Sequence, residues 1–187
     1  MKGIPSNEIS SNILPEKVSL SPQQFRSIKP KLVVREGDKV KTGSPLFFDK
    51  LKPEVKWASP SSGVVSSIHF GARRIIEKIE ITVEDNKLES YKSFSSSELN
   101  AADREAIMKN ILDACIFPLI RQRPFNKVAD PNDMPRDIFV SAYNTAPLSV
   151  NVSKVIQNNK DQFQAGLTAL SKLTDGSVYL TSQKPME

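Results

Sequence analysis

Apolar and polar residues alternate with a period of two in short runs through the first 86 positions, and recur with a period of about 3.6 after position 100. The chain therefore reads as two structurally different parts. Runs at 31–34 and 45–48 flank a turn in which Gly37 and Gly43 bracket Asp38 to Thr42, and a second pair at 55–58 and 64–68 flanks Pro60 and Gly63. Glycine enters left-handed backbone conformations without a Cβ penalty, so these positions predict the turns of a small antiparallel β unit. A polar stretch at 84–100, EDNKLES followed by SFSSSEL, breaks the pattern and predicts an inter-domain linker. The expected organisation is a β domain at 1–86, a linker at 87–100 and the start of an α/β domain at 101–187.

Within the second part, Asn100 is expected to cap a helix with Asp103 in its first turn. Ile107, Ile111, Leu112 and Cys115 then fall on one face until Pro118 stops it. Residues 120–137, IRQRPFNKVADPNDMPRD, carry three prolines and neither periodicity, which predicts a long irregular loop. Loops of that length are usually either functional or disordered, and this segment is the best site candidate on physical grounds. IFVSA at 138–142 predicts a strand, Phe163, Leu167, Leu170 and Leu173 mark an amphipathic helix, and Asp175-Gly176 turns the chain into a strand at 177–180. Strand, helix, strand implies a parallel βαβ unit. A parallel sheet of two strands is too small to be complete, so the chain is expected to be the amino-terminal part of a longer protein.

Composition narrows the functions. Hydrophobic residues make up 39% and charged residues 25% of 187, ordinary values for a chain that builds its own core. No apolar run approaches the roughly 20 residues that a spanning helix needs, and MKGIPSNEIS lacks the apolar segment of a secretion signal. Cys115 is the single cysteine, which excludes an internal disulfide framework and multi-cysteine metal or iron–sulfur sites, and fits a cytoplasmic location. His69 is the single histidine and cannot form a histidine cluster, so no metal site is expected. Residues 1–100 carry 16 Lys and Arg against 12 Asp and Glu, and residues 101–187 carry 10 against 9. These cations are interleaved with acids and show no stacking series of aromatics, which argues against nucleic acid as a partner.

The pattern V-x-E-G-D-x-V-x-x-G-x-x-L, then D-K, then A-x-P-x-S-G-x-V resembles the barrel-sandwich fold of lipoyl and biotinyl carrier domains, with Lys50 near the carrier lysine's place. A carrier or binding module is the alternative reading. The run 50–60 is longer than a carrier hairpin, however, and Val55 and Trp57 give it apolar anchors, so Lys50 is expected to be an unmodified, solvated lysine.

Five blocks in order, VREGDKVKTGSPLFFDKLKP, ASPSSGVVSSIHFGARR, IRQRPFNKV, IFVSAYNTAPL and QAGLTALSKLTDGSVYL, resemble the A subunit of the Na+-translocating NADH:quinone reductase, from about Pro5 to Leu180. The resemblance implies a barrel-sandwich domain followed by a partial Rossmann-like α/β domain, in mixed α+β architecture. It further implies a peripheral component on the cytoplasmic face of the bacterial inner membrane, partnered by the other subunits of a reductase complex. Relatives of this subunit hold flavin and NADH on a Gly-rich loop, yet 101–187 contains only Gly166 and Gly176, and FPLIRQRPFNK stands where that loop is expected. No redox cofactor is therefore expected on this chain, and flavins, iron–sulfur, NADH and Na+ fall to other subunits. A quinone is a neutral ring with two carbonyl acceptors, and Arg121, Arg123, Phe125 and Lys127 offer the matching mixture of donors and aromatic surface. Phe25, beside Arg26 in PQQFRSIKP, is a second quinone-proximal candidate.

Overall fold

The computed structural model describes residues 15–147 and 149–182. The start of the expected β domain, including Pro5 where the resemblance begins, lies outside them.

The first part folds as two antiparallel sheets over one core. One sheet has the order β1 (Lys17–Leu20), β7 (Ile76–Val83), β6 (Gly63–Phe70), β3 (Lys39–Val40), and the other the order β2 (Pro30–Leu32), β4 (Pro45–Asp49), β5 (Lys52–Ala58). Alternation decides which side chains go inside. On β7, Ile79 and Ile81 are fully buried while Glu80 between them points out, and on β5 Val55 and Trp57 go in while Glu54 stays exposed. Leu46, Phe47 and Val65 complete the centre of this barrel-sandwich unit. Gly63 is required at the start of β6, because its φ is +150° and a Cβ there would run into the carbonyl of Thr82 on β7.

The core does not end with the β strands. Phe117, in a 3-10 turn at Phe117–Leu119, is 2% exposed and Val128 is buried beside it, and both belong to the same apolar cluster as Phe47 and Trp57. Of the described residues, the compact β unit thus combines 15–93 with Met108–Asp133, and the second compact unit combines Phe94–Ile107 with those from Met134 to Ser182. The stretch expected as a linker is structured at both ends. The Thr42 N–H donates to the Lys87 carbonyl, the Glu89 N–H donates to the Thr42 carbonyl, and the Tyr91 hydroxyl donates to the Gly43 carbonyl at 2.8 Å, which ties 87–91 to the β unit. Further on, α1 (Ser96–Ala101) begins with a capping box in which the Ser95 hydroxyl accepts from the Glu98 N–H and the Glu98 carboxylate accepts from the Ser95 N–H.

Two local expectations are corrected. Asn100 lies inside α1, and the following helix, α2 (Arg104–Asp113), takes its cap from Asp103, whose carboxylate accepts from the Ala106 N–H at 2.8 Å. Cys115 is not on the face of that helix. It follows the helix with a φ of +57°, while Cys115 N–H bonds to Leu112 C=O and Ile116 N–H to Ile111 C=O, a Schellman arrangement in which cysteine occupies the position usually given to glycine. Its side chain is buried, as expected of a small hydrophobe.

The second unit contains the parallel pair β10 (Ile138–Ala142) and β11 (Val178–Ser182), in register from Ile138 opposite Val178 to Ala142 opposite Ser182. Two helices connect them, α3 (Val152–Gln157), capped by Asn151, and α4 (Lys160–Ser171). The turn before β11 needs Gly176, since a Cβ would meet the carbonyl of Arg136, and Thr174 fastens it by donating to the carbonyls of Pro135 and Arg136.

Candidate functional site

The segment 120–137 is not an irregular loop. It opens with a hairpin of two very short strands, β8 (Arg121–Gln122) and β9 (Lys127–Val128), which pair Arg121 with Val128 and Gln122 with Lys127. Strands of two residues are too short to show a period. The turn between them holds a cis Arg123-Pro124 bond and Asn126 at a φ of +52°, a conformation asparagine tolerates better than most residues. The base is held from both sides. Ala129 N–H bonds to Ile120 C=O, and the Lys52 ammonium meets the Asp130 carboxylate at 2.7 Å, holding that carboxyl below its ordinary pKa chiefly through this hydrogen bond.

Of the residues singled out by sequence, Phe25 and Arg121 are brought together. The Arg121 guanidinium lies over the Phe25 ring, 4.9 Å from its centroid, a cation–π contact. Phe25 in turn meets Trp57 edge to face at 5.2 Å, and Trp57 stacks on Phe47 at 4.9 Å with the planes 12° apart. A ladder of guanidinium and three rings thus runs from the half-buried Arg121 to the centre of the core. The Trp57 indole N–H is buried and meets no acceptor among the described residues. Arg123 and Phe125 stand at the exposed hairpin turn, where Phe125 is 71% exposed. Lys127 belongs with Gln122 on the opposite side of the ribbon from Arg121, so the four residues do not form one cluster. By sequence Trp57 was legible only as an apolar anchor of the run 50–60 and Phe47 only as part of the strand run 45–48, and their link to Arg121 joins segments far apart in the chain.

Lys50 is exposed at the first of two turn positions between β4 and β5, so the hairpin is tight and not the longer run expected over 50–60, most of which is the strand β5. Buried Asp49 shapes that turn by accepting from the N–H groups of Lys29 and Leu51. Cys115 carries no activated thiol. Burial pushes its pKa up, as it does that of Tyr91 nearby, so the thiol stays protonated. A conspicuous polar cluster of the β unit outside the hairpin gathers on Glu80, which accepts from Ser67 at 2.6 Å, His69 at 2.9 Å and Lys78 at 3.0 Å. These bonds, that from Ser67 first, lower its pKa to about 2, so it is a carboxylate at any physiological pH. In the α/β unit neither glycine frees backbone N–H groups for a phosphate, since Gly166 lies within α4 and Gly176 serves the chain crossing against Arg136.

Comparison with known proteins adds to this geometry. Residues 1–84 match the family model described as the NqrA N-terminal barrel-sandwich hybrid domain, and residues 102–187 match that of the NqrA second alpha/beta domain. Curated relatives, each named as the A subunit of Na(+)-translocating NADH-quinone reductase, include those of Saccharophagus degradans, 38% identical over 95% of this chain, Alcanivorax borkumensis, 37% over 95%, and Klebsiella pneumoniae, 35% over 95%. The chain spans about 40% of the length of these relatives.

Proposed function

Because this chain belongs to the NqrA family, that of the A subunit of the Na+-translocating NADH-quinone reductase, we propose that it acts as a docking and structural part of that respiratory complex, peripheral to the cytoplasmic face of the membrane. No helix among the described residues is long and apolar enough to cross a membrane, which agrees with a peripheral place. The chain holds no redox cofactor of its own, a reading supported by the structural employment of Gly166 and Gly176. NADH oxidation and Na+ transfer then belong to neighbouring subunits.

In this reading the chain also meets the quinone, at the hairpin 121–128. The observation that carries it is the stack of Arg121 on Phe25, which sets a guanidinium with its N–H donors beside half-buried aromatic surface. A quinone ring is accommodated by aromatic surface, and its carbonyl oxygens accept from such donors. Exposed Phe125 extends the apolar surface at the turn. The test is steady-state kinetics of the assembled complex carrying Arg121→Ala or Phe125→Ala. The KM for quinone is expected to rise about 5- to 50-fold, the worth of one to two lost contacts, with the KM for NADH unchanged. Wild-type quinone kinetics in both variants would refute the contact.

A further inference from the structure

The five-residue tip that joins β6 to β7 lies outside both the core cluster and the Arg121–Phe25 contact. It is closed by the Gly71 N–H donating to the Ile75 carbonyl at 2.8 Å, and inside it Arg73 and Arg74 both take left-handed conformations, with φ of +55° and +58°. Two consecutive non-glycine residues in that region store strain, and arginine has no local hydrogen bond of the asparagine kind to relieve it. Neither guanidinium has an ion-pair or hydrogen-bond partner among the described residues. The arginines are bracketed by Phe70 and Ile75, which are 49% and 52% exposed. Glu77, whose carboxylate packs against Gly71, leaves the tip net positive.

We propose that this hairpin tip is a membrane-surface contact, in which Arg73 and Arg74 bind anionic lipid headgroups and Phe70 and Ile75 enter the interfacial layer. The Gly71–Ile75 closure holds both strained residues, and with them their cations, at the end of the hairpin. A tip of five residues is too small for a protein interface of the usual size, about 1,200–2,000 Å², whereas a bilayer surface requires no matching shape. The combination of cations with an aromatic and an aliphatic side chain is what the headgroup region accommodates, the arginine stems lying along the apolar boundary while their heads reach phosphate. This inference shares with the proposed function only the presence of a membrane, and stands or falls separately from the quinone contact.

The test is co-sedimentation of the 187-residue chain with vesicles of phosphatidylglycerol and phosphatidylcholine, and with vesicles of phosphatidylcholine alone. Binding is expected only to the first, weakening as salt is raised. The double variant Arg73→Gly/Arg74→Gly is informative because glycine relaxes both left-handed positions, so it folds with a Tm no lower than the parent while its vesicle affinity drops about thirtyfold, the joint worth of two surface cations. Arg73→Lys/Arg74→Lys should keep most of the binding, and Phe70→Ser/Ile75→Ser should lose part of it. Undiminished binding by the glycine variant would overturn the proposal. So would failure of the parent to bind either vesicle, and if the same tip then proved to be protected by an acidic surface of another component of the complex, the arginines would belong to a protein contact.

Discussion

The two units of this chain treat their aromatic residues in opposite ways. In the β unit Phe47 is fully buried and stacks on Trp57 at 2% exposure, inside a core closed by two sheets, a 3-10 turn and a short hairpin. In the α/β unit Phe139 and Tyr179 also stack, at 5.1 Å across the parallel strands, yet they are 70% and 50% exposed. The same kind of ring pair therefore serves a finished core in one place and an open sheet face in the other. Burial, rather than the ring contact itself, decides how much such a pair stabilises, because the stacking geometry adds only about 0.5–1.5 kcal/mol beyond the apolar area removed from water.

That difference is measurable. Phe47→Ala should destabilise the β unit by about 3–5 kcal/mol in urea unfolding, since it leaves a cavity lined by Trp57 and Val55, whereas Phe139→Ala should stay within about 0.5 kcal/mol of the parent. Similar costs for the two would contradict the contrast. A smaller effect is expected where a helix end, not a core, is at stake. Ser95→Ala removes one half of the capping box and should cost the second unit about 1 kcal/mol, seen as faster amide exchange in α1 with the β core unaffected.

The smallest effect concerns the tie between β5 and the base of the β8–β9 hairpin. Because Lys52 lowers the pKa of Asp130 in the folded state, the stabilisation from that carboxylate is complete above its unfolded value of about 3.9 and disappears as pH falls through the lower folded value. Asp130→Asn should therefore cost at most about 1 kcal/mol at neutral pH, with the gap to the parent closing below pH of about 3.9. A gap that widens on acidification would show that the ion pair has another role.

The strands β2, β4, β5 and β6 were legible because period-two runs lie between glycines that the backbone needs, Gly63 above all, whereas β1 and β7 were not picked out and β3 lies in the stretch expected as a turn. The parallel pair and α4 were legible for a similar reason, a strand-length run, a helical stripe and the Asp175-Gly176 turn in sequence. Elsewhere local signals were present but outweighed. Ser95-x-x-Glu98 is a capping box, yet it sits in a serine-rich stretch that reads as polar linker. The strands β8 and β9 are two residues each, and their anchors, Phe117 and Val128, gain meaning only when the core they enter is known. Cys115 fits a helical stripe by spacing, but the Schellman turn moves it off the helix. The candidate site shows the same limit. Arg121 and Phe25 were each identified, while their contact depends on folding that no neighbouring residues encode.

The proposed contact between quinone and the Arg121 hairpin is tested most directly by photo-crosslinking a quinone analogue to the assembled reductase complex and mapping the labelled peptides. Label on peptides covering 120–137 or Phe25 is predicted, and it should be displaced by excess quinone. Label confined to other subunits would contradict the contact.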